Sequence, residues 1–163
     1  MKVTFRTDAT CQIGTGHFMR CVTLADGFKK HDAQICFVSR NLPDHLRDML
    51  AVKDIEHVSL ENNASASQID DLAHSAWLET SQAQDAQDTI QILSGKAWDW
   101  LVVDHYALDA RWESAMRGTV KQSWSLMTLP TVNMIVMCCW IRIFTKTCKH
   151  VIPAKSLRIA SYC

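Results

Sequence analysis

Apolar and polar residues along positions 1–122 follow a pattern that predicts strands alternating with helices. Short, nearly unbroken apolar runs are typical of buried parallel strands, and apolar residues three or four apart are typical of helices. We predict strands at Val3–Asp8, Gln34–Ser39, Ile55–Leu60 and Trp98–Asp104. We predict helices at His17–Lys30, Leu42–Val52, Asp85–Ser94 and Leu108–Lys121. Glu61–Ser67 is predicted as a polar loop, and the pattern at Ile69–Leu78 is ambiguous.

This alternation predicts an α/β domain, Rossmann-like, with three layers built around a parallel sheet. Ligands of such sheets bind at the carboxyl ends of the strands. Polar residues follow three of the predicted strands, at Asp8–His17, after Leu60 and at Asp104–Tyr106. The candidate chemistry is therefore expected along one edge of the sheet.

Composition limits the class of protein. The 163 residues are 48% hydrophobic, which suits one domain with a core and is too short for two full α/β domains. Without a long apolar run or a basic, apolar leader, neither a membrane span nor a signal peptide is predicted, and a cytoplasmic location is expected. Seven cysteines include no C-x-x-C pair, so we expect free thiols and no metal site.

A glycine-rich turn separates the first predicted strand from the first helix. Gly14, Thr15 and Gly16 would direct backbone N–H groups and the positive end of the helix toward a phosphate. The turn lacks the third glycine of a dinucleotide fingerprint and the lysine of a P-loop, and no acidic residue ends the second strand. Two interpretations stay open, an anion-binding turn and a tight turn with a helix-capping histidine.

His17 and Arg20 lie on the first turns of that helix. Histidine ionises near neutral pH, and a helix N-terminus disfavours its charged form, so His17 is a candidate general base. The alternative is an ordinary surface histidine. Arg20 would either reach a phosphate or lie exposed on the helix.

Two further segments carry candidate residues. Asp104 ends an apolar strand, where it would orient His17, bind sugar hydroxyls or simply cap the next turn, and Tyr106 follows closely. The polar segment Trp77–Ala86 would line a sugar site or, more simply, form a capped helix start.

Three separated motifs resemble one enzyme family. They are Asp8–Ala25, Trp77–Thr89 and Val102–Glu113, and the resemblance covers nearly all of residues 1–122. The family is the UDP-2,4-diacetamido-2,4,6-trideoxy-β-L-altropyranose hydrolase of pseudaminic acid biosynthesis, which is related to the peptidoglycan glycosyltransferase that makes lipid II. Its product becomes pseudaminic acid on flagellin or surface glycans.

The resemblance implies a fold and a reaction. The fold would be the N-terminal half of a GT-B-type, glycosyltransferase-like pair of Rossmann-like domains, with UDP held mainly by the second domain. The reaction would split UDP from the anomeric carbon of the sugar without a metal or another cofactor. His17 would be the base that activates water, and Asp104 and Tyr106 would face the sugar. A related UDP-sugar glycosyltransferase and a non-catalytic nucleotide-sugar-binding module remain the alternatives.

The last 41 residues differ in character from the rest of the chain. Residues 1–122 carry 17 acidic and 12 basic side chains, whereas residues 123–163 carry five basic side chains, four cysteines and no acid. The five cations are dispersed among apolar residues, so nucleic-acid binding is not expected. The family resemblance also stops after Gln122. We therefore expect a domain at 1–122, followed by a tail at 123–163 that replaces the end of this domain.

We interpret the tail as the product of one nucleotide lost near Lys121–Gln122; the alternative is a real basic and apolar C-terminal segment. Methionine and tryptophan codons end in G, so the shifted codons at Thr128, Ile135 and Ile141 must restore aspartate. Those at Cys138, Cys139 and Trp140 must restore valine, leucine and leucine. With allowed codons elsewhere, positions 123–145 become IMVIDDLANRQHDCDVLLDQNLY, the continuation that family members would have. This interpretation implies that the UDP-binding domain is absent and that the chain has little or no activity.

Overall fold

A parallel sheet of five strands organises the part of the chain that the computed structural model describes, residues 1–61 and 71–126. The strands are β1 (Lys2–Thr7), β2 (Gln34–Ser39), β3 (Glu56–Ser59), β4 (Trp98–Asp104) and β5 (Val120–Ser125). The helices are α1 (Gly16–Lys29), α2 (Asp44–Val52), α3 (Gln82–Leu93) and α4 (Ala110–Met116), with a 3₁₀ turn at Ser75–Leu78. The predicted α/β, Rossmann-like class is confirmed.

The strand order is β3-β2-β1-β4-β5, so the chain reverses its direction of travel across the sheet between β1 and β4. The register pairs Thr7 at the end of β1 with Asp104 at the end of β4. Crevices at such a reversal point are where open α/β sheets bind ligands. The segments that follow β1 and β4 therefore flank the expected ligand site.

Side chains alternate between the two faces of the sheet, and each face is covered by helices. On one face the rings of Phe5 and Phe37 stack with centroids 4.8 Å apart, and Phe18 and Phe28 of α1 pack against them. On the other face Val38, Leu101 and Val103 join a core that includes the residues of α3 and α4. This arrangement gives the three predicted layers.

The structure moves several predicted boundaries, two of them by three residues or more. The helix predicted to reach Lys121 ends at Met116, and Val120 already begins β5. Gly118 and the β-branched Thr119 and Val120 explain the change, because glycine ends helices and β-branched residues favour strands. Helix α3 begins at Gln82 rather than Asp85, since Ser81 accepts a hydrogen bond from the N–H of Gln84 and caps it. The capped helix start is thereby confirmed.

Some predictions fall outside the described residues. These are the loop at Glu61–Ser67 beyond Glu61, the start of the ambiguous segment at Ile69, and the tail beyond Leu126. Within the described ranges no helix is long and apolar enough to cross a membrane. The cysteines there, Cys11, Cys21 and Cys36, are free thiols as expected.

Candidate active site at the sheet edge

His17 and Asp104 form a hydrogen-bonded pair at the reversal point of the sheet. His17 lies in the first turn of α1, and Asp104 is the last residue of β4. His17 Nδ1 is 2.8 Å from Asp104 Oδ1, and the Asp104 side chain is fully buried. Because an ionised carboxylate only accepts hydrogen bonds, the ring proton is assigned to Nδ1. Nε2 is then the proton-accepting nitrogen, as a general base requires.

Arg20 completes this group from the next turn of the same helix. Its Nε donates to Asp104 Oδ2 at 2.8 Å and its Nη2 to Oδ1 at 2.6 Å, a two-point contact. Burial raises the pKa of Asp104, but the hydrogen bonds from His17 and Arg20 outweigh it and hold that pKa below its usual range. Asp104 is therefore an ionised acceptor of hydrogen bonds from both residues, and Arg20 uses Nε and Nη2 for this contact.

Aromatic rings extend the site away from His17. The Tyr106 ring meets His17 edge to face with centroids 4.5 Å apart. Tyr106 also contacts Trp77 at 5.9 Å and His74 at 5.4 Å, and His74 stacks on Trp77 at 4.1 Å. His74, Trp77 and Tyr106 are all partly exposed. The chain thus places an aromatic patch (His74, Trp77 and Tyr106) directly beside the histidine.

Several N–H groups of the glycine-rich turn donate hydrogen bonds within the turn itself. Gly14 N–H donates to the Thr10 carbonyl at 2.8 Å, and the N–H groups of Gln12 and Ile13 donate to Thr10 Oγ1. No side chain caps the N-terminus of α1 at Thr15. Any anion at this turn would therefore meet the N–H groups at the start of α1, from Gly16 onward, rather than those of residues 12–14.

Gly14→Ala tests the shape of this turn. Gly14 has φ of +75°, a conformation that costs other residues about 1–2 kcal/mol. We expect the free energy of unfolding, measured by urea denaturation, to fall by about that amount. Gly16→Ala is the matched control, because a Cβ there would meet nothing within 4 Å. Equal effects of both substitutions would contradict the turn geometry.

A buried ion cluster lies beside the site, and sequence reasoning missed it. Arg6 in β1 is fully buried and donates to both Asp8 and Asp85, with shortest contacts of 2.7 Å to each. Arg40 donates to Asp85 and Asp88, and Trp112 Nε1 donates to Asp85 at 2.9 Å. Asp85 of α3 therefore contacts β1 through Arg6, the residue after β2 through Arg40, and α4 through Trp112.

His105 closes the buried ion cluster on the other side of Asp8. The N–H of Ala107 donates to His105 Nδ1, so the ring proton lies on Nε2. Nε2 of this neutral ring is 3.2 Å from Asp8 Oδ2, although the orientation is outside ordinary hydrogen-bond geometry. Asp8 also accepts the backbone N–H of Arg40 at 2.7 Å. The cluster, defined as Arg6, Asp8, Arg40, Asp85, Asp88 and His105, thus fixes the ends of β1, β2 and β4.

Acid should destabilise the fold through this cluster. Burial raises the pKa of Asp8, but the charge and hydrogen bonds of Arg6 together with the nearby His105 outweigh it, and the net pKa lies well below the ordinary 3.8. Stability from ionised Asp8 is therefore complete above about pH 4 and is lost as pH falls further. We expect the free energy of unfolding to decline between pH 4 and about 2, less steeply in Asp8→Asn. An identical acid slope in both proteins, from urea titrations, would contradict this role.

The structure brings together four of the predicted site residues, His17, Arg20, Asp104 and Tyr106, and places Gly14, Thr15 and Gly16 in the adjoining turn. Among residues 1–61 and 71–126 no group of three or more histidine, cysteine or acidic side chains is arranged to hold a metal ion.

The chain matches no protein-family model, no curated protein and no solved structure. Fold and site together define an α/β, Rossmann-like domain with a histidine–aspartate pair at the reversal point of its sheet.

Proposed function

We propose that residues 1–122 are the base-bearing domain of a UDP-sugar hydrolase of the type that the sequence resembles. The substrate would be UDP-2,4-diacetamido-2,4,6-trideoxy-β-L-altropyranose. The observation that carries the proposal is the hydrogen bond between His17 Nδ1 and Asp104 Oδ1 at the reversal point of the sheet. It makes Nε2 a proton acceptor where α/β folds bind ligands.

In the proposed reaction, Nε2 of His17 takes a proton from water while the water oxygen bonds to the anomeric carbon. The bond between that carbon and the terminal phosphate oxygen of UDP breaks, and UDP leaves with the bonding electrons. Asp104 stays ionised and stabilises the imidazolium through the Nδ1 proton, as the acid of a catalytic triad does. Since Asp104 is buried and both its oxygens accept hydrogen bonds, we assign it to His17 rather than to the sugar.

The aromatic patch would hold the sugar. A pyranose with a methyl group and two acetamido groups has a largely apolar face, and partly exposed rings suit such a face. Tyr106 lies 4.5 Å from His17 between ring centroids, so the sugar carbon next to the base would lie against this patch. The uncapped start of α1 at Thr15 and Gly16 would meet the diphosphate.

The second domain of the GT-B-type fold would supply most of the UDP contacts, and the resemblance to the family stops after Gln122. In β5 the side chain of Ser123 is exposed, and those of Trp124 and Ser125 are half-exposed. The restored reading frame would place isoleucine, methionine and valine at these three positions, and isoleucine and valine favour strands more than the two serines do. This supports a lost nucleotide near codons 121–122.

The experiment compares this chain with the frame-restored protein, in which that nucleotide is returned. We expect the frame-restored protein to release UDP from the diacetamido sugar in water, and this chain to release little or none. UDP release only after an acceptor alcohol is added would indicate a glycosyltransferase. Binding without release would indicate a non-catalytic module. An uninterrupted gene with no coding sequence in the alternate frame would refute the lost nucleotide.

A further inference from the structure

We infer that Arg20 is a positioning residue that acts on His17 through Asp104, rather than a ligand of the substrate phosphates. The inference assigns a role within the proposed site, but it rests on contacts that involve no substrate. Sequence reasoning gave Arg20 a phosphate-binding or merely exposed role. The structure places its guanidinium on the carboxylate that holds the histidine.

His17 and Arg20 share one oxygen of Asp104. His17 Nδ1 lies 2.8 Å and Arg20 Nη2 lies 2.6 Å from the same Asp104 Oδ1. The separation of 3.2 Å between the two nitrogens follows from this shared acceptor. If Nδ1 instead accepted from Arg20, its lone pair would face an anionic oxygen at 2.8 Å, which is repulsive. The arrangement therefore requires the proton on Nδ1.

The carboxylate of Asp104 needs a second contact to fix its orientation. Rotation about the last bond of an aspartate side chain is soft, so one contact to Oδ1 does not fix its plane. Arg20 also donates Nε–H to Oδ2 at 2.8 Å, and a two-point contact of a planar guanidinium fixes that plane. The Cys21 thiol adds only a weak contact to Oδ2 at 3.9 Å. Arg20 is therefore the group that keeps Oδ1 directed at His17.

The spacing of His17 and Arg20 along α1 allows both to reach Asp104. Residues three apart lie on the same face of a helix, so His17 and Arg20 both face the end of β4. Lysine would keep the charge at position 20 but would donate no planar pair of N–H groups. The geometry therefore assigns the effect to the shape of the guanidinium.

The test reads the tautomer of His17 directly. Ring-nitrogen NMR of the full 163-residue chain, at a pH of about 8.5 where histidine is neutral, distinguishes protonated from unprotonated nitrogens. We expect a protonated Nδ1 in the parent chain. In Arg20→Met we expect the two nitrogens to shift toward a mixture of tautomers, with Arg20→Lys between the two. Arg47→Met is the matched control, because Arg47 is a similarly exposed helix arginine paired with Asp44.

Unchanged ring nitrogens in Arg20→Met, with a folded amide spectrum, would overturn the inference. So would a mixed tautomer in the parent chain, or ring-nitrogen signals of Arg20→Lys identical to those of the parent. Because no substrate is involved, these outcomes are independent of whether the protein hydrolyses a UDP-sugar.

Kinetics of the frame-restored protein also distinguish a positioning role of Arg20 from a phosphate-binding role. A positioning role predicts that Arg20→Met lowers kcat by about 10- to 100-fold at little changed KM, the usual scale for outer partners that orient a histidine. A raised KM for the UDP-sugar with kcat unchanged would instead show a phosphate ligand and contradict the inference.

Discussion

His17→Asn is expected to abolish turnover in the frame-restored protein while UDP-sugar binding persists. Asparagine has no group that accepts a proton at neutral pH, and loss of a positioned general base lowers kcat by about 10²–10⁴-fold. Binding should survive because the aromatic patch and the start of α1 remain in place. Steady-state UDP release measures turnover, and calorimetric titration with the UDP-sugar measures binding.

His31→Asn provides the matched control for this substitution. His31 is exposed and follows the other end of α1, away from the edge where β4 ends. We expect its kcat and KM to equal those of the parent. Unchanged turnover in His17→Asn would remove His17 from the mechanism, and loss of binding together with turnover would assign it to substrate binding instead.

Asp85→Ala is expected to produce the largest loss of stability. The substitution removes the acceptor shared by Arg6, Arg40 and Trp112. The fully buried guanidinium of Arg6 then has Asp8 as its single partner. Breaking a buried ion pair by removing one member costs about 3–5 kcal/mol, because the remaining charge is uncompensated. For a small domain that is a large share of the total stability. Urea denaturation followed by circular dichroism measures the change.

Asp26→Ala tests whether burial is the cause. Asp26 pairs with Lys53 at 2.8 Å, but the two side chains are 43% and 35% exposed. Exposed pairs contribute less than about 1 kcal/mol, so we expect a small change. Similar losses in both variants would show that Asp85 contributes no more than a surface ion pair.

Local patterns predicted much of the fold. The apolar runs at Gln34–Ser39 and Trp98–Asp104 coincide with β2 and β4, because a strand covered on both faces must be apolar. The end of α4 was missed because the helical spacing continues past Gly118, where the backbone turns toward β5. Hydrophobic period alone does not register such a stop.

The sequence also predicted part of the candidate site. The rule that ligands gather at the carboxyl ends of strands placed His17 and Asp104 at one edge, although they are 87 positions apart. No local signal joins Arg6 to Asp85, 79 positions away. An arginine inside an apolar strand does require a buried acid, but the identity of that acid depends on the packing of α3.

Hydrolysis in ¹⁸O-labelled water tests the central claim most directly. If His17 activates water for attack at the anomeric carbon, the frame-restored protein will place the label in the released sugar and leave the UDP unlabelled, as mass spectrometry of both products would show. Label in the UDP would mean attack at phosphorus, and no UDP at all would mean that the protein is not a hydrolase of this substrate. Either result would contradict the account.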